Sequence, residues 1–289
     1  MQTSHGPLDY RERGRGGTVV FVHGALCNGD LWRDVVPRLA DRHRCIVPDL
    51  PLGSHARPAP AGADMRPPAL AALIGEFLAA LDLTDVTLVA NDYGGALTQL
   101  LLARGEQRIA RVLLTSCDSF GQLPPRYLKP ATLAMRAGLG PAVVRLGRRE
   151  AVKRLFWRSV AHRRLEPEIW DSYMAGIDRP EIAADILRLG RALRPRYTLA
   201  AARRLGAFTG PAIVAWAADD PWFARRNGRR LARRFPHGRF ELVENARTFL
   251  PEDAPGRVAE LVDELTAAPA SGTARIADAP RAAGERWAA

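Results

Sequence analysis

The chain has 289 residues, 47% of them hydrophobic and 25% charged, which suits one large globular domain or a domain with an insertion. Its formal charge of +11 is almost wholly arginine, since Lys129 and Lys153 are the only lysines; the charge reads as coding bias, and without interleaved exposed aromatics it argues against a nucleic-acid groove. The first residues lack the apolar core of a secretory leader, no apolar run approaches the ~18 residues of a membrane span, and three scattered cysteines (Cys27, Cys45, Cys117) offer neither a disulfide framework nor a metal cluster. A cytoplasmic protein with no membrane and no nucleic-acid partner is expected.

In chain order, the first clear element is the run Thr-Val-Val-Phe-Val at 18–22. It is apolar on both faces, as a buried parallel strand is, and His23-Gly24 ends it. Runs of the same character follow at 44–47, 86–90, 112–115 and 212–216. The run 240–243 is shorter, as an edge strand is. Helical spacing fills 31–39, 69–81, 96–104 and 226–235, and returns near 258–265. Strands alternating with helices predict a mostly parallel sheet with helices on both faces.

Residues 120–208 break this rhythm. They show no convincing strand, only helix-like stretches at 151–160, 167–174 and 182–193 cut by Pro and Gly. A helical cap inserted over the C-terminal edge of the sheet is the simplest account. Arg145, Arg148, Arg149, Arg154, Arg158, Arg163 and Arg164 cluster there and read as a solvated helical face, with an acidic substrate or partner as the alternative. The expected organisation is a core of 1–119 and 209–266, a cap of 120–208, and a flexible tail of 267–289 without periodicity.

The segment Ala90-Asn91-Asp92-Tyr93-Gly94 sits between a strand and a helix. Small residues two before and two after Asp92 permit a very sharp turn. That turn places the central side chain outward on a strained backbone, at the N-terminus of a helix that favours negative charge. Gly94-Gly95 lets the helix pack close to its neighbours.

Here the sequence resembles the α/β-hydrolase family, over about residues 6–266. His23-Gly24 looks like the family's oxyanion loop, and Asp92 falls at the nucleophile position. Trp216-Ala217-Ala218-Asp219-Asp220-Pro221 looks like the segment carrying the triad acid. Asn245-Ala246-Arg247-Thr248-Phe249, with Asp253-Ala254-Pro255 after it, looks like the histidine loop. The order nucleophile, acid, histidine loop is the family's own. The resemblance implies an α/β-hydrolase fold with a helical cap, and an oxyanion hole from the backbone N–H groups of Ala25 and Tyr93.

An aspartate at the elbow narrows the resemblance to haloalkane dehalogenases and epoxide hydrolases. In these the carboxylate attacks an sp³ carbon and a His-activated water releases the ester. Such a carboxylate is ionised at pH 7 without a partner base. The resemblance implies hydrolysis of an epoxide or carbon–halogen bond in a small apolar molecule, through Asp92 with Asp220 as the acid. The halide side is incomplete: Tyr93 stands where a tryptophan follows the nucleophile, and Ala25 where an asparagine follows His-Gly. Tyr127, Tyr173 and Tyr197 in the cap are candidates to protonate an opening alkoxide. Trp157 and Trp170 line a pocket or bury cap helices.

The histidine position holds Thr248, whose hydroxyl is far too weak a base for neutral pH. Three readings stay open. Another histidine substitutes: His55, on a loop after a strand, or His162, in the cap. His23 is expected to hold the oxyanion loop, and His5, His43 and His237 to lie on the surface. Alternatively Asp92 acts as a base or electrostatic group in a lyase or isomerase, or the fold is a pseudo-hydrolase that binds a small molecule. Asp118, just past a strand end, is a candidate alternative acid or a turn former. No metal motif, phosphate loop or dinucleotide fingerprint is present, so no cofactor is expected. The partner is a small-molecule substrate; the oligomeric state is open.

Overall fold

The computed structural model describes residues 1–267; the expected tail, from 268 on, lies outside the described residues. A short ladder of β1 (Gln2–Thr3) and β2 (Gly6–Pro7) precedes the main sheet. The main sheet holds β3 (Tyr10–Arg13), β4 (Gly17–Val22), β5 (His43–Pro48), β6 (Val86–Asp92), β7 (Ile109–Cys117), β8 (Ala212–Ala217) and β9 (Gly238–Val243). Their order is β3-β5-β4-β6-β7-β8-β9. Only β3 runs antiparallel, against β5; the other pairs are parallel. This is the α/β-hydrolase fold.

Burial follows the residue pattern. All seven residues of β6 and all six of β8 are buried, which is why β8 is apolar throughout and β6 is mostly apolar up to Ala90. β3 escaped the sequence reading for the opposite reason. Its Tyr-Arg-Glu-Arg is exposed throughout, a charged edge strand with no apolar alternation. β9 takes the other edge, half-buried.

The helices are α1 (Pro67–Ala80) and α2 (Tyr93–Leu102), then α3 (Lys129–Arg136), α4 (Gly140–Gly147), α5 (Glu150–Val160), α6 (Pro167–Met174), α7 (Pro180–Ala192) and α8 (Pro195–Arg204), and finally α9 (Arg225–Ala232), α10 (Leu250–Asp253) and α11 (Pro255–Ala267). Proline opens α1, α6, α7 and α8, where its missing N–H costs nothing. α2 and α11 both pack on β6 and β7. α3 to α8 all lie between β7 and β8 in sequence. The helix expected at 31–39 is instead two short 3₁₀ turns, Gly29–Trp32 and Val36–Arg38. Gly29 and Pro37 leave too short an uninterrupted stretch for an α-helix, and the Asn28 side chain caps Asp30 N.

Candidate active site

Strand β6 ends at Asp92 and α2 begins one residue later. Asp92 has φ +52° and ψ −124°. A non-glycine residue in such a conformation costs about 1–3 kcal/mol and persists only where its surroundings hold it. They do so here. A Cβ on Gly94 would lie 2.4 Å from the His23 carbonyl, so α2 starts pressed against the end of β4. A Cβ on Gly24 would lie 2.6 Å from Asp92 Oδ2, so only glycine admits the carboxylate there. The backbone N–H of Ala25 donates to Asp92 Oδ2 at 3.0 Å.

The histidine that ends β4 is structural. His23 is fully buried; its Nε2 accepts from Leu50 N at 2.9 Å, and its Nδ1 lies 2.9 Å from the Gly24 carbonyl. An accepting Nε2 requires the Nδ1–H tautomer, which donates to Gly24. Burial depresses its pKa to about 4, so the ring is neutral and fixes the Gly24-Ala25 turn.

Asp92, Tyr93, Ala25 and Asp118 line one cavity of about 40 Å³, walled otherwise by Leu26, Leu123, Phe156, Trp222 and Phe249 among others. That volume admits a few waters or the reactive end of a ligand. Desolvation raises the Asp92 carboxyl to about 6, although the N–H groups of Tyr93 and Ala25 favour the anion. At pH 7 it is therefore mostly ionised, and poorly solvated. Asp118 is 1% exposed, and among the described residues no group hydrogen-bonds its Oδ1. Burial, then the charges of Asp92 and Asp220, push its carboxyl well above the usual range, which favours the protonated form. Among the described residues, no His, Lys or Arg lines this cavity.

Asp220 and Thr248 do not line that cavity; they pair with each other. Thr248 Oγ1 donates to Asp220 Oδ1 at 2.8 Å. The same oxygen accepts from Trp222 N at 2.8 Å and Phe223 N at 3.0 Å. The Asn91 side chain ties the elbow to this loop, donating to the Thr248 carbonyl at 2.8 Å and to Thr115 Oγ1 at 2.9 Å. Thr248 thus bonds Asp220 but brings no basic nitrogen to the cavity.

The other histidines do not replace it. His55 is buried; its Nδ1 accepts from Gly53 N at 3.2 Å and its Nε2 donates to Asp185 at 3.0 Å. His162 is exposed, 3.0 Å from Asp219. Neither lines the Asp92 cavity. Against expectation, His5 and His43 are also buried, His5 against the Asp64 carbonyl and His43 against Asp263. Both are polar anchors that a local sequence window reads as surface.

Tyr127, Tyr173 and Tyr197 lie elsewhere too. Tyr127 and Tyr173 line a neighbouring cavity of about 490 Å³, which shares Leu26, Leu128, Phe156 and Trp222 with the smaller one. Tyr127 is half exposed and bonds Arg126. The Tyr173 hydroxyl donates to Glu252 at 2.7 Å, and Arg33 grips the same carboxylate at 2.6 and 2.7 Å. Burial holds the Tyr173 phenol well above its ordinary pKa. Tyr197 is buried and accepts from Arg196 at 3.2 Å. Trp157 is buried and donates to the Arg163 carbonyl; Trp170 is half-buried. The Arg33–Glu252–Tyr173 knot joins α6 to α10. Nothing local in the sequence marks it, because its members lie up to 219 positions apart.

Among the described residues, no cluster of His, Cys, Asp or Glu could hold a metal ion, and no helix is long and apolar enough to cross a membrane.

Comparison with known proteins follows the same lines. Residues 19–261 match the sequence model of the Alpha/beta hydrolase family. Haloalkane dehalogenase 2 of Mycobacterium tuberculosis is 30% identical over 281 residues, covering 91% of this chain and 93% of that protein. A cis-3-alkyl-4-alkyloxetan-2-one decarboxylase of Shewanella oneidensis is 35% identical over 133 residues, covering 44% and 40%. The solved haloalkane dehalogenase DbeA from Bradyrhizobium elkani superposes with a TM-score of 0.76 at 23% identity, covering 90% and 95%.

Proposed function

For a chain that belongs to the Alpha/beta hydrolase family, we propose that Asp92 is the nucleophile of an enzyme that opens epoxides of small apolar molecules. In this reading residues 120–208 form the cap, and 1–119 with 209–266 the core. The observation that carries it is that one apolar cavity holds both a strained, desolvated Asp92 and a buried Asp118 whose Oδ1 has no hydrogen-bond partner among the described residues.

Asp92 attacks a ring carbon. The C–O bond breaks with its electron pair on oxygen, and Asp118 gives that oxygen its proton, leaving a hydroxyalkyl ester on Asp92. Asp118, now a carboxylate, takes a proton from water. Hydroxide adds to the ester carbonyl, whose oxyanion the N–H groups of Ala25 and Tyr93 stabilise. Collapse expels the diol oxygen, which takes the proton of the new Asp92 carboxyl. Both carboxyl groups return to their starting states. A carboxylate is a weaker base than imidazole, so ester release is the slow step.

We take epoxide over halide on one contact. Leaving halide needs N–H donors, and the Trp222 indole N–H already donates to Ser159 at 2.9 Å. Incubation with a terminal epoxyalkane and a bromoalkane of equal length, read by intact and peptide mass, tests this. An epoxide adduct on the Asp92 peptide, absent from Asp92→Asn, is expected. No adduct and no diol across a panel of epoxides refutes it.

A second reading, a lyase, draws support from the cavity's lack of a basic side chain and from the likeness to an alkyl-oxetanone decarboxylase. Asp92 would open a β-lactone at its ring C–O bond. Loss of CO₂ would then form an alkene and expel Asp92, with no water needed. Alkene rather than diol, from a dialkyl β-lactone, marks that reading.

A further inference from the structure

Residues 126–164 carry eleven Lys and Arg and a single acidic residue, Glu150. Only Lys153, Arg154 and Arg163 are paired with carboxylates; among the described residues Arg145, Arg149 and Arg158 have no such partner. The sequence alone reads this as a solvated face. The structure adds that five of the seven exposed large hydrophobics lie in the same stretch: Tyr127 at 50%, Leu133 at 60%, Leu139 at 57%, Leu146 at 52% and Leu155 at 70%. Exposed leucines scattered singly need no explanation, but Leu133, Leu146 and Leu155 lie on α3, α4 and α5, of which α4 touches both others, with Leu139 capping α4 and Tyr127 just before α3. Tyr127, Leu146 and Leu155 also line the cavity of about 490 Å³, so they stand at its mouth.

Helix α9 is the internal contrast. It is as rich in arginine, yet none of the exposed large hydrophobics lies on it. Its charge is a solvated face. On α3 to α5 exposed leucine is interleaved with unpaired arginine, the combination that binds the interface of an anionic membrane. A nucleic-acid surface would instead need aromatic platforms, and only Tyr127 is exposed here.

We propose that the outer face of α3–α5 docks on an anionic phospholipid bilayer, with the cavity beneath it open to an aliphatic chain drawn from that surface. Leu133, Leu139, Leu146 and Leu155 enter the acyl boundary while Arg145, Arg149 and Arg158 meet lipid phosphates. The docking is independent of the chemistry assigned to Asp92.

Co-sedimentation of the full chain tests it, with vesicles of phosphatidylcholine alone and vesicles containing phosphatidylglycerol. Wild type should pellet with the phosphatidylglycerol vesicles only, and less as salt rises. The triple variant Arg145→Glu, Arg149→Glu, Arg158→Glu, and separately Leu146→Ser with Leu155→Ser, should each weaken partitioning at least about tenfold. Asp92→Asn should bind as wild type does, so failure of the chemistry and failure of docking are separable. Circular dichroism confirms that each variant is folded. Wild type left in the supernatant overturns the proposal. So does a leucine variant that binds as tightly as wild type, which would mark a general polyanion patch.

Discussion

Replacing Asp92 with Asn should stabilise the folded protein, and only above mildly acidic pH. The ionised carboxylate is buried, and its pKa rises from 3.8 to about 6. A raised folded-state pKa means that the folded state binds the proton more tightly than the unfolded chain. The stability this carries is fully present below about pH 4 and is lost as pH climbs through about 6. Two pKa units at 1.36 kcal/mol each put the cost near ~3 kcal/mol at pH 8. Asn keeps an oxygen to accept from Ala25 N and carries no charge, so it removes that cost. By the usual size scaling, thermal melts should show Asp92→Asn above wild type by about 6 °C at pH 8. The gap should close to near zero by pH 4. A variant equally or less stable than wild type at pH 8, or a gap that ignores pH, would refute the claim that the site stores energy in a desolvated anion.

Three further outcomes follow from the same geometry. The rate of Asp92 alkylation by an epoxide should rise with pH and level off above about 6 as the carboxylate ionises; at higher pH it should fall again as Asp118 loses its proton, and stopped-flow or quenched mass measurements across pH read both limbs. Thr248→His, whose ring would reach Asp220 as the hydroxyl does now, should speed ester release by about 10²–10⁴-fold without speeding adduct formation; an unchanged release rate would show that the base is not what limits turnover. Glu252→Ala should cost about 3 kcal/mol in urea unfolding, since it strands the Arg33 guanidinium and the Tyr173 hydroxyl in a buried knot; a loss below ~1 kcal/mol would mean that the pair is a solvated one.

The fold was legible because its signals are local. Parallel strands such as 86–90 and 212–216 announce themselves as apolar runs, and the elbow is written in five consecutive residues around Asp92. β3 was not legible, since an exposed Tyr-Arg-Glu-Arg edge carries no periodicity. The placement of the tyrosines was not legible either. Whether a tyrosine hydroxyl of α3 to α8 faces Asp92 depends on how those six helices pack, and that packing put Tyr173 on Glu252. His5 and His43 were misread for a related reason: their partners, Asp64 and Asp263, are distant in sequence. Asp118 shows the limit most clearly. Its position past a strand end suggested an acid or a turn, but only the structure puts it in one cavity with Asp92, where burial raises its carboxyl.

The central claim is that Asp92 itself bonds to the substrate carbon. A single turnover in H₂¹⁸O, with enzyme in excess over a terminal epoxide, tests it most directly. Attack by Asp92 predicts a first diol carrying ¹⁶O from the carboxylate, and an Asp92 peptide that has gained one ¹⁸O. A first diol carrying ¹⁸O, with an unlabelled Asp92 peptide, would mean that water attacked the carbon and that Asp92 acts as a base.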